Sequence, residues 1–215
     1  PSSPRYASAL NELGLACQNL GDDAKALTYY KKVMQHEQHS DASRSAMNGI
    51  RTIYVERNDV DAYFKYAESV GIETDLGEVQ RDSLAFAAAR VYLSGDTGRA
   101  AAALDNYIAG YPKGVHVAEA LYFAGENALA AQDAARAAGY YRRLVAMPNG
   151  DFTVRGLERL SSVSMDMKQY DEAADAYLRL SGLVTVPARK DEALSGYMKA
   201  VVAGGDDGKI LAAAD

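Results

Sequence analysis

Leu10, Leu13, Gly14 and Cys17 stand at i, i+3, i+4 and i+7, which places them on one stripe of a helix. Gly21-Asp22-Asp23 interrupts that pattern and offers an aspartate as cap for a second helix, whose apolar side carries Ala26, Tyr30 and Val33. The same plan returns as Leu121, Ala124, Gly125 and Ala128, a break at Gln132-Asp133, then Ala137, Tyr141 and Leu144. It returns again as Leu157, Leu160, Ser161 and Ser164, a break near Lys168, then Tyr170, Ala173, Tyr177 and Leu180. Breaks between the pairs carry Gly or Pro: Gly71 to Gly77, Pro112-Lys113-Gly114, Pro148-Asn149-Gly150, and Pro187. Nothing alternates with period two over enough residues to predict a strand.

The pairs are copies of one another. A segment running from Pro through Ser or Gly to Ala or Gly and then Leu recurs as Pro1-Ser2-Ser3…Ala9-Leu10, Pro112-Lys113-Gly114…Ala120-Leu121 and Pro148-Asn149-Gly150…Gly156-Leu157. The apolar anchors Leu10, Met47, Leu84, Leu121, Leu157 and Leu194 are separated by 37, 37, 37, 36 and 37 residues. A fixed period of this size means units that bury their apolar faces only by stacking on one another. The expectation is an all-α chain without a sheet, a right-handed α-solenoid of about six antiparallel helix pairs. The units fall near 7–38, 44–75, 81–112, 118–148, 154–185 and 191–215 and form a single array. Pro1 occupies the column of Pro112, and Asp215 falls inside the second helix of a sixth unit, so the reading is of a fragment of a longer protein.

The columns Leu10, Leu13-Gly14, Cys17, Gly21, Ala26, Tyr30 and Val33 resemble the tetratricopeptide repeat. Closing segments such as Tyr111-Pro112-Lys113-Gly114 are similar to those of tetratricopeptide proteins of the Gram-negative envelope, in outer-membrane assembly and Tol-Pal coordination. The resemblance implies a scaffold without catalysis. In that family the first-helix face opposite the core lines a groove that binds ligands. With the Leu anchor counted as column 4, that face holds columns 2, 5, 9 and 12, and the candidate binding residues on it are Asn11, Asn48, Asp82, Tyr92, Glu119, Tyr122, Glu126 and Glu158. Carboxylates from Asp82 to Glu158 lead to the expectation of an extended, neutral-to-basic peptide. Chaperone-binding members grip a terminal carboxylate with lysines and arginines that are missing beside Asn11 and Asn48, so that activity is not carried over.

Composition narrows the partners. A net charge of −6 lacks the basic footprint that nucleic acid needs. No run approaches the ~18 apolar residues of a transmembrane helix, which leaves a tether outside this segment open. Cys17 is the only cysteine and cannot form an intrachain disulfide. His36 and His39, near Glu37 and Asp41, sit at a helix end and are read as solvated rather than metal-binding; His116 is read as solvated in a loop. Gly204-Gly205-Asp206-Asp207-Gly208-Lys209 lacks the glycine and hydroxyl residue of a phosphate loop, at Ala203 and Ile210. No metal, cofactor or catalytic set is expected.

One irregularity stands out. The closest-approach columns 8 and 20 hold small residues in most units, but Arg51 with Tyr63 and Met198 with Ile210 in units two and six. Either those units splay, or the register of the second slips by one residue and Tyr63 turns to the surface. The leading function is a scaffold for a protein or peptide, in the periplasm or at the outer membrane, with the cytoplasm as the alternative compartment. The other function is a sensor module that binds a small ligand or short peptide for an effector outside this segment. A helical-repeat enzyme or glycan binder is disfavoured by the absence of Trp.

Overall fold

The computed structural model describes residues 4–72, 77–95 and 97–205. The chain is all-α: among the described residues there are eleven α-helices, one short 3-10 helix and no strand. The helices gather in two compact units that meet in sequence at Ala89 and Arg90.

The amino-terminal unit holds α1 (Pro4–Asn19), α2 (Asp23–His36), α3 (Asp41–Glu56), α4 (Val60–Ser69) and α5 (Glu78–Arg90). The carboxy-terminal unit begins with the 3-10 turn Val91–Ser94 and continues with α6 (Thr97–Gly110), α7 (Val117–Ala130) and α8 (Ala134–Val145). It ends with α9 (Thr153–Asp166), α10 (Tyr170–Leu183) and α11 (Pro187–Gly204). From α6 to α11 each helix packs on the next in the chain.

The turns inside the hairpins share one chemistry. Gly21, Asn58, Gln132 and Lys168 all adopt positive φ, and each ends a first helix. The next residue donates its N–H to the carbonyl five residues back: Asp22 to Cys17, Asp59 to Tyr54, Asp133 to Ala128 and Gln169 to Ser164. That bond closes the helix end, and in three of the four turns the same residue caps the second helix. The Asp22, Asp59 and Asp133 side chains accept from the N–H groups of Lys25, Ala62 and Arg136.

Tyrosines join the helices. A Cβ placed on Gly14 of α1 would lie 2.5 Å from the Tyr30 ring, and one placed on Gly49 of α3 would lie 2.5 Å from the other edge of that ring. Tyr30 of α2 is therefore wedged between two first helices at positions where only glycine leaves room. In the other unit Tyr141 fills the space over Gly125, and Tyr177 that over Gly196. Gly14 and Gly125 lie in the small-residue column read from the sequence, whereas Gly49 and Gly196 lie two residues before it.

Two expectations about the hairpins do not hold. Leu13 is 47% exposed although it shares the stripe of buried Leu10 and Gly14. The slipped register of the second hairpin does not hold: Tyr63 is buried, Tyr66 is half-buried, and Arg51 is exposed. The core of α3 is instead Ser43, Ala46, Met47, Ile50 and Ile53. Met198 is half-buried, while Ile210 and the whole of 206–215 lie outside the described residues, as do Pro1-Ser2-Ser3, Asp75 and Leu76.

Candidate functional site

Asn11, Asn48 and Asp82 belong to the amino-terminal unit, and Tyr92, Glu119, Tyr122, Glu126 and Glu158 to the other. Asn11 is half-buried; its Nδ2 donates to Ser45 Oγ at 3.1 Å, and its Oδ1 is buried without a partner. Asn48 is exposed, on the rim of an open cleft of about 270 Å³ floored by Met34, Met47 and Ile72.

Asp82 is buried, not on an open face. The buried residues of α5 are Asp82, Ala85, Phe86, Ala88 and Ala89, so Ala88 of the expected stripe is in the core, but the buried side is widened towards Asp82, Ala85 and Ala89. Leu84 is only half-buried, and Val91 is exposed. The reason is local: the Ala-Phe-Ala-Ala-Ala run from Ala85 to Ala89 is small on nearly every side, so its apolar pattern does not select a face. Tyr92 lies in the 3-10 turn, half-buried, rather than on α5.

The carboxy-terminal unit brings its carboxylates together with arginines that the column analysis passed over. Glu119 lies 3.7 Å from Arg90 and 3.6 Å from Nδ1 of half-buried His116, which is not the freely solvated histidine expected. Glu126 on α7 takes the Tyr141 hydroxyl on one oxygen at 2.5 Å and Arg159 of α9 on the other at 2.7 Å. Glu158 on α9 pairs with Arg189 of α11. Partners in these pairs stand 29, 33 and 31 residues apart. A search for opposite charges at a little under one repeat would have found them. Pairing lowers the negative potential that a count of carboxylates suggests.

Burial, and then the hydrogen bond to the Glu126 carboxylate, push the Tyr141 phenol far above its ordinary value. The Arg159 guanidinium is raised chiefly by its bond to Glu126. Around this network stand half-buried rings: Tyr122 lies 5.8 Å from Phe123 and 5.5 Å from Phe152, centroid to centroid. The Arg155 guanidinium sits 5.5 Å from the Phe152 ring centre, and that of Arg90 lies 5.9 Å from that of Phe123. Such a surface offers aromatic contact and guanidinium hydrogen bonds.

A second set of charges ties the hairpins together on the second helices. Asp105 accepts from Arg136 and from the Tyr140 hydroxyl, both at 2.6 Å. Glu172 takes Arg142 and, at 2.6 Å, the Ser164 hydroxyl. Arg179 donates to the Val145 carbonyl and to Asn149. These groups satisfy one another, as a structural role requires. Among the described residues no three His, Cys, Asp or Glu side chains gather as a metal site. His36 meets the Tyr6 ring edge-on at 5.1 Å. No helix of the described residues is long and apolar enough to cross a membrane.

No family model matches the chain, and no curated protein does. Solved structures similar to it are helical-repeat proteins. A Podosopora anserina protein named as a kinesin light chain, with nearly identical TPR-like repeats, is 13% identical with a TM-score of 0.48, covering 100% of this chain and 94% of its own. A substituted form of it gives the same identity and score over 96% and 90%. A tetratricopeptide repeat protein from Parabacteroides merdae is 16% identical with a TM-score of 0.39, over 97% of this chain and 77% of its own. The helix-hairpin architecture stated above rests on this chain's own helices and turns.

Proposed function

We propose that this chain is a non-catalytic scaffold that holds a protein or peptide partner on the first-helix face of its carboxy-terminal unit. The observation that carries the reading is the group of half-buried rings Tyr122, Phe123 and Phe152 beside the arginines of α9. Aromatic and arginine side chains supply a disproportionate share of binding energy at protein interfaces, and their rigidity keeps the entropy cost of ordering low. An envelope location is part of the proposal; it is supported by the closing segment around Pro112, and fractionation of cells making the full-length protein checks it.

The experiment is site-specific photocrosslinking in the native host. A photoreactive residue at exposed Ser162 of α9 should give a discrete protein adduct, and one at exposed Asp175 of α10 should not. Adducts at 175 alone, or equally at both, would remove the first-helix face from the account.

A further inference from the structure

The carboxylates on the first-helix face led to the expectation of an extended, neutral-to-basic peptide. The structure changes the sign at one place. Glu119, Glu126 and Glu158 are each engaged by an arginine. Arg155 is exposed and, among the described residues, pairs with no carboxylate. Asp151, four residues earlier and also exposed, makes no ion pair with it. Among the described residues, the other charges of α9 and α11 without an ion pair, Asp166, Lys190, Asp191, Glu192 and Lys199, are of mixed sign.

We propose that Arg155, Phe152 and Tyr122 form a recognition site for an acidic, apolar segment of an extended peptide. A side-chain carboxylate of the partner sits on the Arg155 guanidinium, and a neighbouring apolar or aromatic side chain sits on the rings. A guanidinium lying near the face of a ring keeps its N–H edge free, and that edge matches the two oxygens of a carboxylate. The rings shelter the pair from water, which strengthens it relative to an ion pair in open solvent. Charge complementarity therefore selects an acidic occupant here, although the chain as a whole is acidic. This inference rests on the reading of the first-helix face as the partner surface.

Two short peptides with blocked termini test it, one of alternating Glu, Leu and Tyr, the other with Lys in place of Glu. Binding is read by fluorescence anisotropy at low salt. The acidic peptide should bind the wild-type protein more tightly, and Arg155→Gln should weaken it about tenfold, the worth of one charge-assisted hydrogen bond. Arg155→Glu should reverse the preference, whereas Arg143→Gln, at an exposed position of the second helix α8, should leave it unchanged. A preference for the basic peptide, no binding of the acidic one, or an Arg155→Gln protein that binds as the wild type does would overturn the inference. Ser162→Trp separates the two readings, since Ser162 lies two helical turns beyond Arg155 on the same side of α9. If Ser162→Trp blocks a peptide that ignores Arg155, the face stands and the acidic preference fails. If neither change matters to a bound peptide, the face itself is wrong.

Discussion

Tyr30 and Tyr141 hold the same place in hairpins of the two units, and their rings meet the same obstacle. A Cβ on Gly14 would come within 2.5 Å of the first ring, and one on Gly125 within 2.3 Å of the second. Their hydroxyls are held differently. Tyr30 donates to the neutral Gln18 amide oxygen at 2.9 Å. Tyr141 donates at 2.5 Å to the Glu126 carboxylate, whose second oxygen takes Arg159 from the next first helix. Shape is thus common to both units, while electrostatics is not. In the amino-terminal unit successive hairpins are bridged by Asn11 to Ser45 at 3.1 Å and by Arg57 to Asp23 at 3.4 Å. Charge-assisted bonds such as those of Glu126 are the stronger kind, and they also hold the candidate recognition surface in place.

The comparison breaks most visibly at the glycines. Gly125→Ala forces the buried Tyr141 ring to move against its bond to the Glu126 carboxylate, which Arg159 holds in place, an overpacking cost of up to about 3 kcal/mol. That exceeds the ~1 kcal/mol alanine gains over glycine in a helix. Gly14→Ala should cost less, because the hydroxyl bond of Tyr30 is neutral, even though Gly49 bounds the other edge of that ring. Hydrogen exchange along a urea series, followed separately in α7–α8 and α1–α2, reads both; equal losses would show that the hydroxyl partners do not matter.

Removing the partners comes next. Glu126→Ala leaves the Tyr141 hydroxyl buried without an acceptor and Arg159 without a carboxylate, at a cost of about 2 kcal/mol. Gln18→Ala should cost about 1 kcal/mol, since its bond is neutral. The same exchange measurement checks the pair, and a larger loss for Gln18→Ala would invert the account.

Acid sharpens the contrast further. The Glu172 carboxyl is held below its ordinary value of 4.5, first by the hydrogen bond from Arg142 and also by that from Ser164. A lowered carboxyl pKa stabilises the folded state fully at neutral pH, and this is lost as pH falls below the ordinary value. Asp22 is lowered too, by Lys25 three residues on, but that pair is open to solvent and should contribute little. Thermal melts at neutral and acid pH should show a fall of a few degrees in Tm that shrinks in Glu172→Gln. An unchanged fall in that variant would assign the acid sensitivity elsewhere. The smallest effect belongs to Asp41→Ala, which removes the exposed pair with Arg44 and should change stability by less than about 0.5 kcal/mol.

Much of the fold was legible from residues that repeat. Leu121, Gly125, Ala137 and Tyr141 announced a hairpin because the same columns recur in Leu10, Gly14, Ala26 and Tyr30, so the spacing carries the packing rule. The candidate site was less legible. Glu119, Tyr122, Glu126 and Glu158 were found by column, but Arg90, Arg159 and Arg189 stand outside those columns and were missed. Asp82 was misplaced because the alanines after it give α5 no dominant stripe. Phe152 and Arg155 could not be read as a pair, since the cap of α9 and its first turn come together only once the helix start is known.

By itself the sequence determined the helices, their breaks at Gly21, Gln132 and Lys168, and the tyrosine columns, because these depend on contacts within a turn or within one repeated unit. Only the tertiary structure decided which way α5 faces and which charges meet. An ion pair between Glu126 and Arg159 joins side chains 33 residues apart, and no periodicity says whether their long, flexible arms reach one another or end in water.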